Sequence, residues 1–116
     1  MPMNTFPNNI YDSLEQLIFL NGLRIKAISF NTMEQSMEIV LNAPLVLTVP
    51  YKSITALANA SSEDLNHYEL IGRGAGVHWP KLDEDLSLKG FLKDFLDELV
   101  QNGGTYPILN RIKAVA

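Results

Sequence analysis

The stretch Gly76-Val77-His78-Trp79-Pro80-Lys81-Leu82-Asp83-Glu84-Asp85-Leu86-Ser87 puts an imidazole, an indole and three carboxylates side by side in the chain. It is either a reactive cluster or the place where a strand ends and a helix begins. The junction reading satisfies more of its residues. Val77, His78 and Trp79 read as a strand, and Pro80 fixes one backbone dihedral while holding Trp79 extended. Leu82 and Leu86 can anchor the turn from inside. Asp83 and Asp85 can accept hydrogen bonds from backbone amides or from His78. Asp85 or Ser87 can cap the following helix, whose positive end favours the acidic charge of Asp83, Glu84 and Asp85. The Trp79 ring then serves as a core or rim anchor.

Downstream, Leu88, Phe91, Leu92, Phe95, Leu96 and Leu99 keep spacings of three and four until Asn102-Gly103-Gly104, which predicts a long amphipathic helix from near Ser87. Upstream, residues 69–71 and 77–79 read as two strands joined by Gly72-Arg73-Gly74-Ala75-Gly76. A glycine loop beside an arginine invites a phosphate-binding reading, but that geometry needs a helix after the loop, and here a strand follows. The glycines instead suit a hairpin turn with positive φ.

Further upstream, Pro50 opens a short helix carrying Ile54, Leu57 and Ala58, ended by Asn59, and Ser61 with Asp64 opens a second through Leu65 and Tyr68. About Asn42-Ala43-Pro44, Met37, Ile39 and Leu41 alternate with Ser36, Glu38 and Val40, and Leu45, Leu47 and Val49 alternate with Val46 and Thr48, a hairpin pattern in which Pro44 must start its strand or lie on an edge. Residues 23–30 form a strand whose apolar alternation reverses at Ile28, which calls for a bulge or cover on both faces. Ile10, Leu14, Leu17 and Ile18 predict a helix over about 10–21, capped by Asn9 with Asp12 in its first turn and stopped by Asn21-Gly22.

The 116 residues fit one domain over 10–102, preceded by a loose leader at 1–9 and followed by an amphipathic tail at 103–116. Thirteen acidic against nine basic side chains give a net charge of −4, which repels nucleic-acid phosphates. The absence of cysteine removes disulfides, thiol catalysis and thiolate metal sites. No apolar run approaches the roughly 20 residues that span a bilayer, and the cytoplasm is the expected compartment. In the tail, Ile108, Leu109, Ile112 and Val115 make an apolar stripe at helical spacing, with Arg111 and Lys113 beside it, suited to docking on its own core, exchange with a twin or binding a partner.

Pro50 with its helix, then Leu57-Ala58-Asn59-Ala60-Ser61-Ser62-Glu63-Asp64-Leu65, then Tyr68-Glu69-Leu70, and above all the histidine, tryptophan, proline and acidic string, resemble the bacterial family known as domain of unknown function 2442. The resemblance covers about residues 23–92. It implies a small α+β domain with an antiparallel sheet and no established enzymatic activity. Some members carry an added helix-turn-helix module, and short members are often encoded beside a small toxin-like protein. The resemblance therefore implies an antitoxin or another stoichiometric binding partner, and only thirteen residues follow Gly103, too few for a DNA-binding module.

The expectation is one α+β domain, an antiparallel sheet of four or five strands with short helices and a long C-terminal helix packed on it. The expected function is a non-enzymatic protein-interaction module, antitoxin-like or self-associating, with no cofactor. The alternatives are a small metal-dependent enzyme using His78, Asp83 and Asp85, with His67 as the other available imidazole, and a DNA-binding regulator.

Overall fold

The computed structural model describes residues 11–101 and the backbone of Ile112–Ala114. The leader at 1–9 and most of the tail, including Ile108, Leu109 and Val115, lie outside the described residues.

The first helix starts at Asp12, whose side chain accepts from the Glu15 amide at 2.8 Å while Glu15 accepts from the Asp12 amide at 3.0 Å. This reciprocal cap makes Asp12 the boundary, where Asn9 was expected to cap and Asp12 to lie inside. The helix, α1 (Ser13–Glu15), widens into a π-helical turn over Gln16–Leu20 and stops at Asn21-Gly22 as expected, with Gly22 at φ +79°. Lys89 reaches back to Asp12 at 2.7 Å and Glu15 at 3.1 Å, tying α1 to the C-terminal helix.

Three antiparallel strands follow: β1 (Ile25–Asn31), β2 (Ser36–Leu41) and β3 (Leu45–Pro50). The expected bulge lies in β1, where the register with β2 shifts between Ile25 and Ala27. In β2, Met37, Ile39 and Leu41 point into the core, as their alternation requires. Pro50 closes β3 and leads into a 3-10 turn (Tyr51–Ser53) and α2 (Thr55–Ala58). The Ser61 hydroxyl accepts from the Asp64 amide at 3.1 Å and starts α3 (Ser62–Asn66).

A second antiparallel sheet comes next: β4 (Glu69–Ile71), β5 (Gly76–Trp79) and β6 (Glu84–Ser87), followed by α4 (Leu88–Gln101). The last strand, β7 (Ile112–Ala114), returns to the first sheet and pairs with the outer edge of β3. The α+β class and the long C-terminal helix are as predicted, while the single sheet of four or five strands is corrected to two sheets.

The physical reason lies at the β1 edge. The Ile28 amide donates to the Tyr68 hydroxyl at 2.9 Å, and the backbone of Ile25 is overlain by Gly74. With the Ile28 amide taken by a side chain and Gly74 packed against Ile25, β4 to β6 pair with one another instead of continuing the first sheet. One core serves both layers: Ile28, Met37, Ile39 and Leu47 from the first sheet meet Val77 and Trp79 from the second, with Leu57, Leu65, Leu88 and Phe91 from the helices.

Candidate functional site

The opening motif is built on the hairpin of β5 and β6. Pairing runs Gly76 with Ser87, Val77 with Leu86, His78 with Asp85 and Trp79 with Glu84. Successive side chains of a strand point to opposite faces, so the motif is divided between two faces of the sheet. Val77 and Trp79 are fully buried, and the Trp79 indole donates to the Leu65 carbonyl at 2.9 Å, which clamps α3 onto the sheet. His78 faces the other way.

The turn between the strands is closed by the Leu82 amide donating to the Trp79 carbonyl at 3.1 Å. Pro80 fits the second position of such a turn. Asp83 takes φ +52°, a left-handed conformation that short polar side chains tolerate better than most. Leu82 and Leu86 pack on the core as the junction reading required. That reading is corrected in one respect: Glu84–Ser87 is a third strand, so the chain goes from strand to strand before it enters the helix. The Glu84 carboxylate accepts from the Asp85 amide at 3.2 Å.

Ser87 is the helix cap, its hydroxyl accepting from the Gly90 amide at 2.9 Å. Asp85, the other candidate, does not cap, because it stands across from His78. Removing the cap leaves the Gly90 donor to water alone, and Ser87→Ala is expected to cost about 1 kcal/mol in urea-unfolding stability. The same substitution at exposed Ser62 provides the comparison for loss of a hydroxyl elsewhere.

On the outer face, His78 Nδ1 pairs with an Asp85 carboxylate oxygen; the side chains are 32% and 68% exposed. In the β4 register Glu69 lies on the opposite side of His78. The Asp85 hydrogen bond, followed by the negative charges of Asp85, Glu69 and Asp83, holds the His78 pKa above its ordinary 6.5. A group whose folded pKa is raised stabilises the fold fully below its unfolded value, and that contribution fades as pH rises through the folded value. NMR titration is expected to place His78 above 6.5 in the native chain and closer to 6.5 in Asp85→Asn. The native chain should accordingly lose more stability than Asp85→Asn as pH rises from below 6.5 to the alkaline side.

Glu69 was missed by sequence reasoning, and the usable clue was the glycine hairpin: once its register is known, residue 69 must face residue 78. The Gly72–Gly74 turn carries positive φ at Gly72, Arg73 and Gly74 and is followed by strand β5, as the hairpin reading required. Among the described residues no three of His, Asp and Glu form a group able to hold a metal ion. Asp83 occupies the turn, Asp85 pairs with His78, and His67 is an exposed residue at the C-terminal end of α3. The metal-centre alternative built on His78, Asp83 and Asp85 therefore has no assembled ligand set.

A second feature lies between β3 and α4: a cleft of about 140 Å³ whose apolar walls are Leu47, Val49, Pro50, Ile54, Phe91 and Phe95. It adjoins the β3 edge on which β7 pairs, with Leu45 opposite Ala114, Val46 opposite Lys113 and Leu47 opposite Ile112. Ile112, expected at helical spacing with the other tail residues, is thus in a strand. A β-edge recruits chain by its backbone groups, whatever the helical spacing of the side chains. Among the described residues no helix is long and apolar enough to cross a membrane.

Fold and site define a small α+β domain of two antiparallel sheets closed by a C-terminal helix, with a carboxylate-flanked histidine on one face and an apolar cleft at a sheet edge. The chain belongs to the family described as protein of unknown function (DUF2442), whose model matches residues 25–96, from the start of β1 into α4. A solved structure of a protein of unknown function from Rhodospirillum rubrum ATCC 11170 is similar, with a TM-score of 0.58 and 28% identity, over 64% of this chain and 89% of that one. No curated protein matches the chain.

Proposed function

We propose that this chain is a protein-interaction module that recognises an extended segment along the outer edge of β3. The observation that carries this reading is the pairing of Ile112–Ala114 with Leu45, Val46 and Leu47. An edge that takes an added strand offers main-chain hydrogen bonds for affinity, and an adjoining apolar cleft offers side-chain selectivity. The cleft of Leu47, Val49, Ile54, Phe91 and Phe95 is such a neighbour. At the far edge of the same sheet the Ile28 amide is taken by Tyr68 and Gly74 packs against Ile25, so the added strand is found on the β3 side.

In its finer form the reading makes the chain a stoichiometric partner of another protein, antitoxin-like toward a small toxin-type protein, or a self-associating module. Residues 103–116, with Ile108, Leu109, Ile112 and Val115, take part in that binding. Chemistry at His78 is not part of it, since the imidazole pairs with Asp85 on the outer sheet face and neither residue lines the cleft between β3 and α4. A net charge of −4 likewise disfavours a nucleic-acid partner.

Tagged full-length chain purified from its native host tests the proposal. A stoichiometric partner or a self-assembled species is expected, and Ile112→Pro, which disturbs the strand laid on β3, should alter its amount, lowering it where residues 112–114 are the bound segment and raising it where a partner's segment displaces them. A monomer that recovers no stoichiometric partner, identical in behaviour to Ile112→Pro, removes the reading.

A further inference from the structure

We infer that the β3 edge is an interface between two copies of this chain, each laying its Ile112–Ala114 strand on the other's β3. The inference rests on the reading of β3 as a recognition edge and names its occupant. Strand β7 contributes only three paired positions. With each backbone hydrogen bond worth about 0.5–1.5 kcal/mol net, opening this pairing within one chain is inexpensive next to unfolding the domain. Residues 102–111 connect α4 to β7, and a stretch of that length extends to about 33–36 Å. It contains Gly103-Gly104, and glycine has the widest choice of backbone conformations of any residue.

The exchanged strand makes the same backbone contacts in either copy, and reciprocal exchange closes on a two-fold axis, so assembly stops at the dimer. Leu45, which opens β3 and stands opposite Ala114 in the added strand's register, is 36% exposed. A second copy anchored at this edge has apolar surface to cover, and burying it favours association.

The absence of native cysteine permits a direct test. Leu45 and Ala114 are register partners, and paired antiparallel residues have Cα atoms about 4.5–5.5 Å apart, within the range a disulfide bridges. Full-length chains carrying Leu45→Cys alone and Ala114→Cys alone are mixed, oxidised and analysed by peptide mapping. A covalent dimer joined from position 45 to position 114, its yield rising with protein concentration, is the expected result. The chain bearing both substitutions separates the remaining outcomes. If it closes within one molecule while the mixed chains stay unlinked, exchange is overturned and the recognition edge stands. If neither preparation forms the 45–114 linkage, both fall.

Discussion

Trp79→Ala is expected to remove about 3–5 kcal/mol of stability, the cost of deleting a large aromatic side chain from a core that closes around it only in part. A domain of this size has about 5–15 kcal/mol in total, so the variant should populate unfolded chain at temperatures where the native protein is fully folded. The site justifies the figure. Trp79 has no exposed surface and belongs to the cluster shared by both sheets, with Leu65, Leu88 and Phe91 as fellow members. Its loss therefore loosens both sheets and the helices between and behind them. Trp79→Phe separates volume from hydrogen bonding. It keeps most of the apolar burial but leaves the Leu65 carbonyl without the indole donor now at 2.9 Å, an omission worth about 1–3 kcal/mol. Urea unfolding followed by circular dichroism measures both variants, since Trp79 is the chain's one tryptophan and its fluorescence disappears with it. Equal stability of Trp79→Phe and the native chain would show that the indole N–H contributes nothing to holding α3.

The motif that decides the fold was legible in part because its parts obey local rules. Ser87 before an apolar helical repeat reads as a cap, and it is one. Gly72, Gly74 and Gly76 before a strand read as a hairpin turn, and the positive φ values of Gly72 and Gly74 follow. The bulge in β1 announced itself as a reversal of alternation at Ile28. What could not be read was set by contacts between distant residues. Glu84-Asp85-Leu86-Ser87 has too many acidic residues to signal a strand by propensity, yet pairing with β5 makes it one, because a strand's preference is largely that of its neighbours.

The division into two sheets depends on the Tyr68 hydroxyl finding the Ile28 amide forty positions away in sequence. Nothing near either residue foretells it. The tail shows the same limit in another form: Ile108, Ile112 and Val115 have helical spacing, but a sheet edge at β3 offers Ile112–Ala114 backbone partners that an isolated helical turn lacks. At the candidate site, crowding of His78, Asp83 and Asp85 in sequence suggested a common centre. Strand alternation and the left-handed turn at Asp83 leave only His78 and Asp85 paired, and bring in Glu69 from the neighbouring strand.

Gly74→Ala is expected to destabilise the fold by about 2–5 kcal/mol, because Gly74 stands where the two sheets are joined. Two costs combine. Gly74 holds φ +98°, where an L side chain is strained by roughly 1–2 kcal/mol. An added Cβ would also lie 2.3 Å from the Ile25 carbonyl oxygen and 3.1 Å from the Ile25 nitrogen, and overpacking adds about 1–3 kcal/mol. The obstructing atoms are backbone, so no rotamer change relieves them, and either β1 or the hairpin must move. Movement there pulls the β4–β5 turn from the first sheet and disturbs the Tyr68 hydrogen bond to Ile28 that seals the same edge. Gly22→Ala supplies the comparison, because Gly22 has a similar φ of +79° and nothing within 4 Å of the place its new methyl would take. It should show the strain alone, about 1 kcal/mol. Thermal unfolding of the two variants is the measurement. A Gly74→Ala midpoint depressed no further than that of Gly22→Ala would mean that the hairpin yields freely against β1, and the sealed edge would then lose its place as the reason the strands divide into two sheets.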